Sequence, residues 1–517
     1  MDRHGSESYF VLGEGLLGES VGGRQETLAV APATPPFRFS RMGPSGIRRQ
    51  LAVPSRRRLA QAMVSGAEVP SQIPAGFTYL GQFVDHDLTF DKTSVTLGEL
   101  ISPADLVQAR SPSLDLDSLY GAGPTDPNSA KFYEADGIHL KTGKTEAVGG
   151  IPARRGFDLL RGAGSTVAAK QKAIIPDPRN DENLAVAQTH LAFIRFHNRV
   201  VDRLAADGVP QADLFATARE LVVRHYQWML RTDFLPRICA PAVVNAVFMN
   251  GRKAFEVGVP TTDVPTMPIE FSVAAYRLGH SMIRSAYNWN RDFDAGSGTL
   301  DLLFEFSGGS GTFNGARTLP SNWMVDFRRL YDFTEAGRAD LAVPAAKFNR
   351  ARRIDTSIAN LLAALPGFTA DEANLAFRNL ARARMVRLAT GQQMVTFLRS
   401  KGVTPLTKLT NAQIRDGNNG ADLSAHNRQQ LEGLLRNTPL WFYILREAEL
   451  NGGKLKGVGA RIVAETFHRA MEGSQVSIVR EPSWRPSLGP DNQTFRMVDL
   501  LLFAFERKKV LLAPLGD

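Results

Sequence analysis

Along this chain, segment after segment carries apolar residues at the spacing of an amphipathic helix, whereas strand signals are few and short. Glu182 to Ala206 is the longest such run. Ala212 to Leu235, Ile269 to Tyr287, Ile354 to Leu365, Asp371 to Leu388, His426 to Leu450 and Gly457 to Met471 repeat the pattern. This periodicity dictates a mainly α architecture with very little β. At 517 residues and 43% apolar composition, the chain can form one large helical domain whose core is big enough to bury a prosthetic group. Residues 1–70, rich in Gly, Pro, Ser and Arg as in APATPPFRFSRMGPSG, are expected to form an extended arm with little structure of its own. Residues 71–517 are expected to be the folded domain.

Several classes of function fall away on composition. The single cysteine, Cys239, excludes an intramolecular disulfide and any multi-cysteine zinc or iron–sulfur site. No apolar run reaches the roughly 18 to 20 residues that cross a bilayer. The N-terminus, MDRHGSESYFVLGEGLL, lacks the pattern of a secretion signal, which gives an expectation of a cytoplasmic protein or of unconventional export. The formal charge of +9 raises the question of nucleic acid. Its only dense basic cluster, Arg48 to Arg58, has no interleaved aromatics and is expected to be a solvated segment. GEGLLG, Gly13 to Gly18, matches a dinucleotide-binding pattern, but the following ESVGGRQ offers no helix whose N-terminus could hold a pyrophosphate.

GQFVDHDLTFD, Gly81 to Asp91, sets Gln82, Asp85, His86 and Asp87 inside an apolar run. A histidine placed between two carboxylates can be a hydrogen-bonded core residue, a metal ligand or an acid/base group. Polar residues interrupt three more apolar stretches: IPDPRNDENLAVAQTHLAFIRFHNR from Ile175, AAYRLGHSMIRSAY from Ala274 and NLAFRNLARAR from Asn374.

Together, and in this order, these motifs resemble the animal-type haem peroxidases of the peroxidase–cyclooxygenase superfamily. The similarity runs from about Phe37 to about Phe505 and includes GVGARIVAETFHRAMEG and SWRPSLG. The continuation ARMVRLATGQ and the missing cysteine framework look like a microbial member. The resemblance implies a helical fold around haem b, with residues 71–517 as the catalytic domain. It makes His86 the distal histidine, Gln82 its companion one turn earlier, and Arg179 the distal arginine. His280 becomes the proximal iron ligand, and Asn379 the acceptor of that ring's other proton. Arg277 and Arg382 fall near the haem propionate and the proximal side.

The implied chemistry needs these residue types. Peroxide on ferric iron must move a proton from one oxygen to the other, which a neutral imidazole can do. Negative charge grows on the departing oxygen, which a fixed guanidinium stabilises. The product is Compound I, which a small reducing substrate, halide or phenolic, returns to rest. A strong hydrogen bond on the proximal imidazole makes the iron more electron-rich.

Asp85 and Glu182 stand where family members form ester bonds to haem methyl groups; Asn183 replaces the methionine that makes a third link in some members. The resemblance also assigns calcium to Asp87 with Ser111, Ser113, Asp115 and Asp117 of SPSLDLDSLYG, whose oxygen-bearing residues alternate. His190 and His197 are expected to be buried hydrogen-bonding residues. Two other classes are a fatty-acid dioxygenase of the same superfamily and a scaffold that retains the fold. The first is disfavoured because Arg277 occupies the position of its radical tyrosine and Tyr276 is expected on another helix face. The full set Gln82, His86, Arg179 and His280 disfavours the second.

Overall fold

The computed structural model describes residues 37–47, 50–93, 95–365, 368 and 370–517. Residues 1–36, with GEGLLG and His4, and the start of the Arg48 to Arg58 cluster lie outside the described residues. Among the described residues, the helices of eight residues or more are α1 (Val53–Val64), α2 (Gly76–Leu88), α3 (Leu184–Ala206), α4 (Leu214–Met229), α5 (Pro241–Asn250), α6 (Leu375–Met385), α7 (Gly391–Ser400), α8 (Arg428–Arg436), α9 (Leu440–Glu449), α10 (Gly457–Glu472) and α11 (Met497–Ala504). The strands form two-stranded ribbons only, such as Pro70–Pro74 against Arg350–Arg352, antiparallel, and Phe39–Ser40 against Met267–Pro268, parallel. The mainly α expectation holds.

Three helices position the site. In α2 every residue except Gly81 is buried. Gly76 opens it because a Cβ there would lie 2.2 Å from the Tyr331 ring, and Tyr331 Oη donates to Gly76 O at 2.8 Å. The helix stops where Thr89 N and Oγ1 both donate to Asp85 O, at 2.8 and 3.0 Å. Helix α3 packs against α2, α4 and α11, and Asn183 caps it by accepting from Val186 N at 2.9 Å. Helix α9 lies behind residues 275–278 and packs on α10.

Four expected elements differ. Residues 53–64 of the expected arm form α1, which packs on α6; Pro54 in the first turn has a helix-compatible φ and lacks only an N–H that would go unpaired anyway. Arg56 of the expected solvated cluster is buried there, its guanidinium 5.8 Å from the Phe377 ring centroid. Ile269 to Tyr287 is a string of short turns: Ile269–Ser272, Ala275–Leu278 as a 3₁₀ turn, and Gly279–Met282. Its residues are buried on nearly every side, so tertiary packing, not one amphipathic face, decides the backbone. Ile354 to Leu365 keeps one 3₁₀ turn, Asn360–Ala363, because Asp355 accepts from Ser357 N at 2.8 Å and offers the backbone a turn instead. His426 to Leu450 splits into α8 and α9 at Pro439, which lacks the N–H a continuing helix needs.

Candidate active site

A cavity lies between α2 and the turns at 276–282. Gln82 and Asp85 face it from α2, while Tyr276, Arg277, His280 and Met282 line it from the other element. Arg277 also lines a second cavity with Phe39, Asp91, Ile101, Arg382 and Met385. Its guanidinium Nε donates to Ser272 O at 2.7 Å, and Arg382 Nη2 to Asp91 Oδ2 at 2.8 Å.

The distal side is a chain of oriented amides. Because Asn183 Oδ1 caps α3, its Nδ2 is left to donate, and it does so to Gln82 Oε1 at 3.0 Å. Gln82 Nε2 in turn donates to Glu182 Oε1. His86 Nε2 lies 3.6 Å from that same oxygen, and His86 Nδ1 is 2.9 Å from Asn180 Oδ1. Arg179 arrives on the 3₁₀ turn Pro178–Asp181, which Asp177 caps by accepting from Arg179 N at 3.1 Å. Asp177 also takes Arg179 Nε at 2.9 Å and Nη2 at 2.7 Å, and Nη2 donates to His86 O at 2.9 Å. His86 Nε2 and Arg179 Nη1 are buried with no hydrogen-bond partner among the described residues.

Electrostatics follows from burial. Burial, seconded by the Arg179 charge, lowers His86 to about 3, so its imidazole is neutral at ordinary pH. Burial raises Asp85 to about 6 against the opposing pull of Arg277 and Arg179. Burial also works against Asp177, but Arg179 and Arg110 together hold its carboxyl well below the usual carboxylate range.

On the proximal side Asn379, from α6, sets Nδ2 2.8 Å from His280 Nδ1. The pairing with His280 is the expected one, but its polarity is reversed: the amide nitrogen, not the oxygen, faces the ring. A neutral imidazole nitrogen either accepts or donates, so half a turn of the amide exchanges the two arrangements. Trp441 of α9 sets its ring edge toward His280, with centroids 6.4 Å apart, and its Nε1 donates to Arg277 O at 3.3 Å.

Tyr276 requires a correction. It was expected on another helix face than Arg277, yet both line the same cavity as His280, because residues 276–280 all border it across two short turns. Its ring stacks on Phe271 with centroids 4.6 Å apart, and its hydroxyl has no hydrogen-bond partner among the described residues.

The candidate calcium loop is less gathered than expected. Asp87 accepts from Leu116 N at 3.2 Å and Ser118 N at 3.3 Å, Asp115 from Gln475 N at 3.0 Å, and Asp117 lies 3.6 Å from Arg219. Ser111 Oγ donates to Ser113 Oγ at 3.1 Å. With the carboxylates occupied this way, no group of three or more His, Cys, Asp or Glu among the described residues could hold a metal ion. Of the helix histidines, His197 is satisfied by Tyr120 Oη at 3.0 Å and Ile138 O at 2.9 Å. His190 departs from expectation, because neither ring nitrogen has a hydrogen-bond partner among the described residues.

Sequence reasoning missed Asn180, Asn183 and Asp177 as site residues. Their signal was present in DPRNDEN, where each reads as a helix or turn cap.

A family model described as animal haem peroxidase matches residues 92–475. The chain belongs to the animal haem peroxidase family. Arg179, His280 and Asn379 fall within the matched span, and α2 lies just ahead of it. A peroxidase-like protein of Margaritifera margaritifera is 32% identical over 115 residues, which is 22% of this chain and 14% of that protein. Peroxidasin homolog pxn-2 of Caenorhabditis elegans is 23% identical over 308 residues, 47% of this chain and 23% of that one. The matches thus span less than a quarter of these relatives' length. Peroxidase A from Dictyostelium discoideum shares the fold, with a TM-score of 0.55 at 15% identity over 92% of this chain and 94% of that one.

Proposed function

We propose that this protein is a haem-dependent peroxidase that reduces hydrogen peroxide and oxidises a small donor. The observation that carries the reading is the single cavity walled by Gln82 and Asp85 of α2 on one side and by His280 on the other. The residues fit a haem: the His280 imidazole and Arg277 border this cavity and Arg382 the neighbouring one that Arg277 also lines, while His86 Nε2 and Arg179 Nη1 are buried polar atoms without a hydrogen bond among the described residues.

With the Asn379 amide turned so that its oxygen accepts from Nδ1–H, His280 would hold the iron through Nε2, and Arg277 and Arg382 would hold the propionates. When bound, haem supplies an iron at which the peroxide O–O bond breaks. His86 takes the proton from one peroxide oxygen and returns it to the other, which leaves as water. Arg179, fixed by Asp177, faces the negative charge that grows on the departing oxygen. Asn183 holds the Gln82 amide so that its nitrogen points at Glu182.

The apolar walls of the second cavity support an organic, phenolic donor that approaches past Arg277; a halide is the smaller alternative. Adding peroxide to the haem-loaded protein should shift the Soret band within a second, and bromide, iodide or a phenol should return it. A haem-supplemented protein without a Soret band ends the proposal. Asp85 lines the cavity and Glu182 accepts from Gln82 beside it, which supports ester attachment of the two to the haem. Acidified organic solvent should then fail to extract the haem after peroxide turnover, and complete extraction refutes the linkage.

Calcium at Asp87, Ser111, Ser113, Asp115 and Asp117 is supported by the sequence loop and by three carboxylates that burial raises, Asp87 and Asp115 also through repulsion from Asp117. Calcium should raise the thermal midpoint of chelator-treated protein, and an unchanged midpoint removes the ion from the account.

A second reading, fatty-acid dioxygenase, has one observation in its favour: the unpartnered Tyr276 hydroxyl in the cavity wall. Oxygen uptake with a long-chain fatty acid, abolished in Tyr276→Phe, would establish it.

A further inference from the structure

The 3₁₀ turn Pro178–Asp181 delivers two side chains to His86, and only one of them is a charge. Arg179 holds the histidine by its backbone carbonyl, whereas Asn180 holds it by its ring. Asn180 is fully buried and its own N–H donates to Asp177 O at 3.0 Å, so its side chain springs from a backbone that Asp177 fixes twice, by main chain and by cap.

An amide oxygen accepts and never donates. In the arrangement that sets Asn180 Oδ1 2.9 Å from His86 Nδ1, the ring proton sits on Nδ1, because the other tautomer would set two lone pairs against each other in a buried place. Nε2 makes no hydrogen bond among the described residues, and the Glu182 oxygen 3.6 Å from it already accepts from Gln82 Nε2, so its lone pair is the one left unbonded. Burial keeps water from offering Nδ1 a substitute acceptor.

We infer that Asn180 is a positioning residue for the peroxide reaction: its side-chain oxygen fixes His86 as the Nδ1–H tautomer, which presents Nε2 as the proton acceptor. The inference rests on the proposed role of His86. Asn180 touches neither peroxide nor haem; it acts through the imidazole alone.

The test uses ¹⁵N-histidine-labelled protein carrying ferrous haem and carbon monoxide, a diamagnetic state in which the His86 tautomer can be read by NMR, alongside stopped-flow rates with peroxide on the ferric form. Wild type should show His86 as Nδ1–H. Asn180→Leu, close to Asn in size but without an acceptor, should give a mixture of tautomers and a peroxide rate lower by about 10- to 100-fold at unchanged haem content. Asn180→Asp keeps an acceptor and should restore both the single tautomer and most of the rate, which a packing role would not predict. The inference is overturned by an Nε2–H tautomer in wild type, by Asn180→Leu retaining the wild-type tautomer and rate, or by equal slowing in both variants. Should Asn180→Leu not fold, the wild-type and Asn180→Asp tautomers still decide it. The role of His86 fails separately, if His86→Ala reacts at the wild-type rate whatever the tautomer.

Discussion

The two walls of the cavity are built on opposite plans. The distal wall is one helix, α2, buried along its length and tied by side-chain amides to the start of α3. The proximal wall is a broken run of single turns at 269–282, held from behind by α6 and α9 through Asn379 and Trp441. Each wall pairs a histidine Nδ1 with an asparagine side chain, at 2.9 Å for His86 and 2.8 Å for His280, but the first meets an oxygen and the second a nitrogen. A continuous helix fixes direction and leaves chemistry to its neighbours. A chain of turns leaves the backbone free to place one ring and relies on the helices behind it for rigidity.

The largest expected effect separates the walls outright. His280→Ala should leave a protein that retains no haem after reconstitution, whereas His86→Ala should retain it and react with peroxide about 10²- to 10⁴-fold more slowly. Absorbance and stopped-flow traces on the two variants check this, and loss of haem in His86→Ala would exchange the two walls.

Next in size is the backing of the proximal wall. Burial raises Glu447, on α9, to about 7, against backbone donors at Gly459 and Val458 that pull it down. A raised folded value means the native state holds more protons than the unfolded chain between about pH 4.5 and 7. Stability then falls as pH rises across that window, and the whole penalty is in force above it. Glu447→Gln should therefore gain about 3 kcal/mol on wild type between pH 5 and pH 8 in denaturant titrations. Parallel curves for the two proteins would show that the proximal backing is open to water.

The smallest effect sharpens the distal side. Asn183→Ala removes the cap of α3 and should cost about 1 kcal/mol of stability. It should also release the Gln82 amide, so the peroxide rate should drop while haem content is unchanged; a stability loss with no change in rate would uncouple cap from cavity.

What was legible in the sequence divides along the same line. Helices α3, α4 and α10 were legible from the helical spacing of their large apolar residues, although α10 is buried nearly throughout, and α2 was conspicuous because polar residues stood inside an apolar run. The turns at 269–282 were not legible, because each is only four residues long and the chain changes direction between them. Asn180 and Asn183 were hidden by their ordinariness, since Asn beside a helix start reads as a cap, and a cap that also orients a second side chain looks the same in one dimension. Tyr276 was misplaced because a single helical turn, not a long helix, sets its direction. The polarity of Asn379 is invisible to sequence, which records the amide but not which end of it meets the ring.

Because Asn183 closes the first turn of the longest helix with the same amide that steers Gln82, the fold and the reaction share one weak point. Fraying of that end need not melt the molecule to silence it. On gentle heating, turnover should fade while the far-ultraviolet signal still reports an intact helical protein, and cooling should bring it back.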